Sequence, residues 1–396
     1  MTNPELDLLQ PYPFEKLRAL LDGITPADVP LVSLSVGEPR HPAPQFVLDA
    51  MQQAARTVEN YPSTRGIDEL RQGIAAWLCQ RYGLDNPEKL AEQHILPVNG
   101  TREGLYAIAQ CVLDRTQRDR LVLMPNPFYQ IYEGAALLAG CTPEFYAIDE
   151  NADANIDAIT DEQFARCQMI YICTPGNPTG AVSSEAGLQR LIAKAQEHDF
   201  IIISDECYSE IYREASGPPC GLLQAAKSMG LDSFDRCLVF HSLSKRSNLP
   251  GLRSGFVAGD AELIRRFVEY RTYQGCSMSG FVQHASIAAW SDEEHVQANR
   301  TAYDQKYEAV IDILSPALNV STPPAGFYLW PELPVDDQIF TQRLLAEFNV
   351  RAVPGSYLAR APGQDNYNPG TNHLRLALVA PLDDCIIAAQ RIIQCL

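Results

Sequence analysis

The chain has 396 residues, 46% hydrophobic and 20% charged, the balance of an ordinary globular protein long enough for one or two real cores. Its 31 Lys and Arg against 49 Asp and Glu leave a formal net charge of −18, which excludes the basic surfaces that nucleic acid or anionic membranes require. An anionic ligand must find its positive groups gathered locally, against the overall field.

In chain order, Ile67, Leu70, Ile74, Trp77, Leu78 and Tyr82 keep one helical face, and Gly83 is placed to end that helix. Strands are predicted at 121–124, 169–173, 200–204 and 237–241, apolar on both alternations as in strands covered on both faces. Leu188, Leu191 and Ile192 mark a helix after the turn at Thr179-Gly180. This alternation predicts an α/β fold with a mostly parallel, helix-covered sheet. Isolated strands at 326–330 and 373–379, among helices at 337–348 and 383–393, read as a smaller α+β domain. The expected division is a large domain over 46–289 and a small one from 1–45 and 290–396. An N-terminal arm around Phe14 to Leu21 packs on the small domain or reaches a neighbouring subunit.

No apolar run approaches the roughly 18 residues of a membrane span, and no signal-peptide pattern follows the acidic start Met1-Thr2-Asn3-Pro4-Glu5. The 11 cysteines are scattered singly, without zinc-ligand spacing. Cys173, Cys207 and Cys237 lie in or beside apolar runs, where a free thiol behaves as a small hydrophobe. The expectation is a reduced, cytoplasmic protein without a metal site.

Four segments end apolar strands with polar residues, the place where open α/β sheets gather ligands. They are Asn99-Gly100-Thr101-Arg102, Thr174-Pro175-Gly176-Asn177-Pro178-Thr179-Gly180, Asp205-Glu206-Cys207-Tyr208, and Ser242-Leu243-Ser244-Lys245 running on to Arg253. Taken singly, Asn177 is a turn residue, Asp205 a cap, Tyr208 packing and Lys245 a surface charge. Ser242-x-x-Lys245 is also the nucleophile string of penicillin-recognising serine hydrolases, but their companion S-D-N and K-T-G strings are absent.

The ordered set is more specific. Asn177 in N-P-x-G, Asp205 and Tyr208 in D-E-x-Y, Lys245 in S-x-S-K and Arg253 in G-x-R-x-G follow one another at intervals of 28, 40 and 8 residues from Asn to Asp to Lys to Arg. This resembles the class I/II aminotransferases of fold type I, which use pyridoxal phosphate, and the resemblance runs from Ser35 to Arg375. It implies Lys245 as the lysine that binds the cofactor covalently and shuttles a proton, with Asp205 as the partner of the ring nitrogen. Asn177 and Tyr208 match the pair on the ring hydroxyl. Tyr129 matches the aromatic on the ring face, with Phe128 in that role if the register differs by one. Gly100, Thr101, Arg102, Ser242, Ser244 and Arg253 match the phosphate site. Tyr61 resembles a tyrosine reaching that phosphate from the other subunit of a homodimer. Arg375 matches the arginine for the substrate α-carboxylate, with Gly37 and Asn177 lining the same site. Mid-strand placement of an arginine in Leu374-Arg375-Leu376 independently calls for an anion.

Ser254 departs from the aliphatic residue usual inside G-x-R-x-G. For a distal substrate carboxylate, Arg40, Arg246 and Arg102 stand as candidates. The phrases Pro11-Tyr12-Pro13-Phe14-Glu15-Lys16-Leu17, Pro125-Asn126-Pro127-Phe128-Tyr129-Gln130-Ile131-Tyr132 and Lys245-Arg246-Ser247-Asn248-Leu249-Pro250-Gly251 are similar to bacterial N-succinyldiaminopimelate aminotransferases. That resemblance implies amino transfer between N-succinyl-L,L-2,6-diaminopimelate and 2-oxoglutarate in lysine biosynthesis. Aspartate, acetylornithine or aromatic amino acids as donors, or a lyase of the same fold, are the alternatives.

Overall fold

The computed structural model describes residues 3–117, 119–148, 153–362 and 367–396. Seven strands form the central sheet: β1 (Ile95–Val98), β2 (Leu121–Asn126), β3 (Thr142–Ala147), β4 (Cys167–Cys173), β5 (Ile201–Asp205), β6 (Cys237–Ser242) and β7 (Gly255–Gly259). Their order across the sheet is β1-β7-β6-β5-β4-β2-β3. The pairs from β6 to β3 are parallel, whereas β7 runs antiparallel to both β1 and β6.

The double alternation has a direct cause. Ile170, Ile172 and Ile202 face one apolar layer with Leu70, Ile74 and Leu78 of the helix Asp68–Tyr82 and Leu188, Leu191 and Ile192 of the helix Glu185–His198. Met169, Tyr171 and Ile203 face a second layer with Leu105 and Ile108 of the helix Thr101–Val112. Each such aliphatic side chain contributes roughly 1.5–3 kcal/mol by leaving water. Gly83 ends its helix in the left-handed region at φ 65°, as the sequence predicted.

A third apolar cluster joins Val32 and Leu34 to Tyr307, Val310 and Leu314 of the helix Glu294–Leu314, with Phe340, Leu344 and Ile392 from the helices Asp337–Phe348 and Leu382–Cys395. A small antiparallel sheet, Val353–Pro354, Leu374–Ala377 and Tyr328–Leu329 in that order, lies with it. The arm helix Pro13–Leu20 packs on the same chain, through Leu17 against Val353 and Leu358. All eleven cysteines are free thiols. Among the described residues no helix is long and apolar enough to cross a membrane.

Parallel register aligns the strand ends that matter. Cys173 pairs with Asp205, Asp205 with Phe240, and Ser242 with Gly255. One edge of the sheet thus receives the polar ends of β4, β5 and β6, and Arg375 comes to it from the small sheet.

Candidate active site

A cavity of about 140 Å³ opens at that edge, lined by Gly37, Tyr129, Asn177, Asp205, Lys245 and Arg375 among others. An adjoining cavity of about 380 Å³ shares Thr101, Arg102 and Lys245 and adds Ser242, Ser244 and Arg253. Two chemical regions result, one around a buried amine and carboxylate and one around cations and helix-start amides.

Lys245 rides on the short helix Leu243–Arg246, started by Ser242, whose Oγ accepts from the Ser244 N–H at 3.1 Å. Its Nζ donates to the Gly37 carbonyl at 2.5 Å and lies 5.5 Å from the Phe327 ring centroid. Burial lowers the ammonium to about 8; Cys207 and Glu38 oppose the shift, while Arg375 and Arg102 add to it. A neutral amine is therefore accessible near neutral pH, as nucleophilic and proton-transfer chemistry require.

Asp205 closes β5 and is buried. Its Oδ2 accepts from the Tyr132 hydroxyl at 2.7 Å and its Oδ1 from the Cys207 N–H at 3.3 Å. Burial raises the carboxyl, and the donors on Cys207 and Tyr132, with the field of His241, pull it back. The next residue, Glu206, points to the opposite face, where its Oε2 sits 3.2 Å from Nε2 of buried His241. Strand alternation thus gives adjacent carboxylates separate tasks. The Tyr208 and Tyr328 hydroxyls lie 2.9 Å apart, and burial holds the Tyr208 phenol far above its ordinary value, protonated.

Arg375 donates from Nη1 to Asn177 Oδ1 at 3.1 Å and from Nη2 to the Ser35 carbonyl at 2.6 Å; its buried Nε has no partner among the described residues. This is a guanidinium held in place with donor capacity left for an anion. Arg102 donates from Nε to the Tyr129 hydroxyl at 2.7 Å, and the rest of its fork has no protein partner among the described residues. Phe128 is buried, whereas Tyr129 lines the cavity.

The second region depends on one glycine. Gly100 has φ 85° and precedes the helix Thr101–Val112; a Cβ there would lie 2.3 Å from Arg253 Nη2. Without a side chain at 100, the Arg253 guanidinium approaches the helix start, where free N–H groups favour phosphate. A buried amine of lowered pKa, a buried carboxylate, hydroxyl donors and this cation-plus-helix cradle together fit pyridoxal phosphate.

Other candidates lie elsewhere. Tyr61 is fully exposed and lines neither cavity. Arg246 points away from Lys245, its Nη1 donating to the Ala289 carbonyl at 2.7 Å and its Nη2 to Glu293, between the Trp77 and Trp290 rings. Arg40 is exposed and lines neither cavity. Ser254 is explained by packing: its hydroxyl meets that of Ser286 at 2.6 Å in the core. Sequence reasoning missed Tyr132, Tyr328 and Cys207, all around the amine and carboxylate. The three-residue interval from Tyr129 to Tyr132 at a helix start was the available signal, since it places both rings on one side.

Comparison with known proteins agrees with this geometry. Residues 29–392 match the family model for aminotransferase class I and II. An LL-diaminopimelate aminotransferase of Maridesulfovibrio salexigens is 30% identical over 98% of this chain and 97% of its own length. An aminotransferase structure from Neisseria meningitidis superposes with a TM-score of 0.93 at 43% identity, with 99% of each chain covered. A probable N-succinyldiaminopimelate aminotransferase from Thermus thermophilus gives a TM-score of 0.81 at 26% identity, over 97% of this chain and 99% of that one. The chain belongs to the class I and II aminotransferases, enzymes of the fold-type I architecture that depend on pyridoxal phosphate and act on small amino and 2-oxo acids.

Proposed function

We propose that this aminotransferase moves an amino group between N-succinyl-L,L-2,6-diaminopimelate and 2-oxoglutarate, as in lysine synthesis through diaminopimelate. The observation that carries the reading is a pair of cations at different depths of one cavity, Arg375 buried and Arg102 exposed. Such a pair suits substrates with carboxylates at both ends. Arg375, with Gly37 and Asn177, would hold the α-carboxylate, and the free part of the Arg102 fork a distal one. The Thermus and Maridesulfovibrio relatives both carry diaminopimelate in their names, which supports a donor of that class. The Maridesulfovibrio name favours a second reading, free LL-diaminopimelate as donor.

In this reading Lys245 holds the cofactor and, once released, carries the proton at the substrate α-carbon. Asp205 would keep the ring nitrogen protonated, Asn177 and Tyr208 would bind the ring hydroxyl, and Tyr129 would cover the ring. The phosphate would lie on Gly100, Thr101, Arg102, Ser242, Ser244 and Arg253, joined by Tyr61 of a second copy. When bound, pyridoxal phosphate supplies the electron sink that the α-carbanion needs. The reading takes 46–289 as the cofactor-binding domain, 1–45 with 290–396 as the smaller one, and the protein as a cytoplasmic homodimer.

The test is a donor panel with 2-oxoglutarate as acceptor. The succinylated donor should exceed aspartate, acetylornithine, phenylalanine and free LL-diaminopimelate in kcat/KM by about tenfold or more. Arg102→Leu should lower kcat/KM for diacid donors by roughly 10–100-fold more than for alanine, the worth of one charge-assisted hydrogen bond beyond any loss at the phosphate that all donors share. Preference for the free diamine establishes the second reading. Parity with aspartate removes the diaminopimelate assignment, and release of pyruvate and ammonia would make the enzyme a lyase.

A further inference from the structure

Behind Lys245 lies a buried polar chain that the reaction as described does not use. Lys306, on the helix Glu294–Leu314, is 2% exposed, and its Nζ meets His41 Nε2 at 2.7 Å. Among the described residues no carboxylate pairs with it, and His41 is its hydrogen-bond partner. The opposite ring nitrogen, His41 Nδ1, lies 2.7 Å from Asn299 Oδ1. That oxygen also accepts from Asn248 Nδ2 at 3.1 Å, while Asn299 Nδ2 donates to the carbonyls of Lys245 and Arg246 at 3.3 and 3.4 Å. Each group's role follows. The amide oxygen of Asn299 can only accept, so His41 carries its proton on Nδ1 and presents Nε2 as the acceptor for Lys306.

The chain joins both ends of one loop to the reacting groups. At the near end, the Ser35 carbonyl accepts from Arg375 and the Gly37 carbonyl from Lys245. Gly37 is pressed on Tyr328, whose hydroxyl would lie 2.1 Å from any Cβ there. At the far end, His41 is wedged between Asn299 and Lys306 and lies 4.7 Å from the Tyr303 ring. Tyr303 in turn stacks on Phe327, the ring below the Lys245 amine. Burying a lysine without a carboxylate is unfavourable, and here its hydrogen bond among the described residues orients a histidine.

We propose that Lys306, His41 and Asn299 form a positioning relay that clamps the loop 35–41 over Lys245 and Arg375, setting the solvation of the amine and the aim of the guanidinium. The inference rests on the roles given to Lys245 and Arg375 above. Burial lowers Lys306 to about 8, with the Cys385 thiol opposing; His41 is lowered by burial and by Lys306, with Asn299 opposing.

Three variants test it: His41→Phe keeps the ring and removes both links, His41→Gln keeps a donor and an acceptor, and Lys306→Met keeps the buried stem. The first readout is acetic anhydride labelling of Lys245 in the cofactor-free protein across pH. The wild-type midpoint should fall near 8, and His41→Phe should move it upward, toward an ordinary lysine. The second is the split of kinetic constants in the holoenzyme. His41→Phe should raise KM for both substrates by about 5–10-fold as Arg375 loses its aim, and the pH profile of kcat should move with the Lys245 midpoint. Lys306→Met should move both readouts in the same direction, and His41→Gln should restore them. A folded His41→Phe protein with unchanged midpoint and KM overturns the relay, as does a KM rise that His41→Gln leaves in place. If His41→Phe fails to fold, Lys306→Met decides by the same two readouts. Borohydride reduction of the wild-type holoenzyme separates the layers. Cofactor fixed to another lysine overturns the site reading and the relay with it, whereas cofactor fixed to Lys245 with variants unmoved overturns the relay alone.

Discussion

Asp205 shows how a single residue's task is set by what faces it. Its carboxyl is buried, which by itself favours the protonated form, and the Tyr132 hydroxyl and Cys207 N–H restore the charged one. Hydrogen bonds donated to a carboxylate stabilise its ionised form, so removing one raises the pKa. Tyr132→Phe should therefore move the acid limb of the kcat profile to higher pH and lower turnover by roughly tenfold, the worth of one hydrogen bond to a charged group. If Asp205 partners the ring nitrogen as proposed, Asp205→Ala should retain part of the cofactor and lose about a hundredfold or more in turnover, because an unpaired ring nitrogen is a poorer electron sink. Stopped absorbance at several pH values measures both. An unshifted acid limb in Tyr132→Phe would reduce that tyrosine to packing against Tyr171, on which its ring stacks at 4.4 Å.

At the scale of an element, the four-residue helix Leu243–Arg246 divides its two cations between two tasks. Successive helical residues point about 100° apart, so Lys245 enters the cavity while Arg246 enters the core between Trp77 and Trp290. Arg246→Met should therefore destabilise the fold by about 3 kcal/mol, through the unpaired groups it leaves behind. The preference for diacid over monoacid donors should stay within about twofold. Thermal melting and the donor panel read the two arms, and a lost diacid preference would return Arg246 to substrate recognition. The same helix marks how far the sequence was legible. Apolar runs on both alternations, followed by Asn177, Asp205 and Ser242, located the sheet edge, because strand burial and strand-end polarity are local properties. The Tyr132 contact with Asp205 and the clasp of His41 on Lys306 were not legible. Those depend on packing between segments 73 and 265 residues apart, which no local period encodes.

For the whole molecule, an acidic chain of net charge −18 concentrates Arg102, Arg253, Lys245 and Arg375 around one pair of cavities. Phosphate and carboxylates are thereby drawn to a local field opposite in sign to the average one. Tyr61 is the one proposed ligand outside this cluster. It stands fully exposed near Val58, itself mostly exposed, and a second copy seated there would cover both. In a two-fold dimer each site would then draw Lys245 from one subunit and Tyr61 from the other. Mixing refolded Tyr61→Ala and Lys245→Ala chains tests this directly. If Tyr61 acts across the interface, each hybrid dimer holds one intact site, and activity should climb toward about a quarter of wild type, the statistical share expected for random two-fold pairing. If Tyr61 serves its own chain, every site in every hybrid carries a lesion and no activity returns. Sedimentation run beside the assay should give a dimer at working concentration, and an active monomer would remove Tyr61 from the phosphate site altogether.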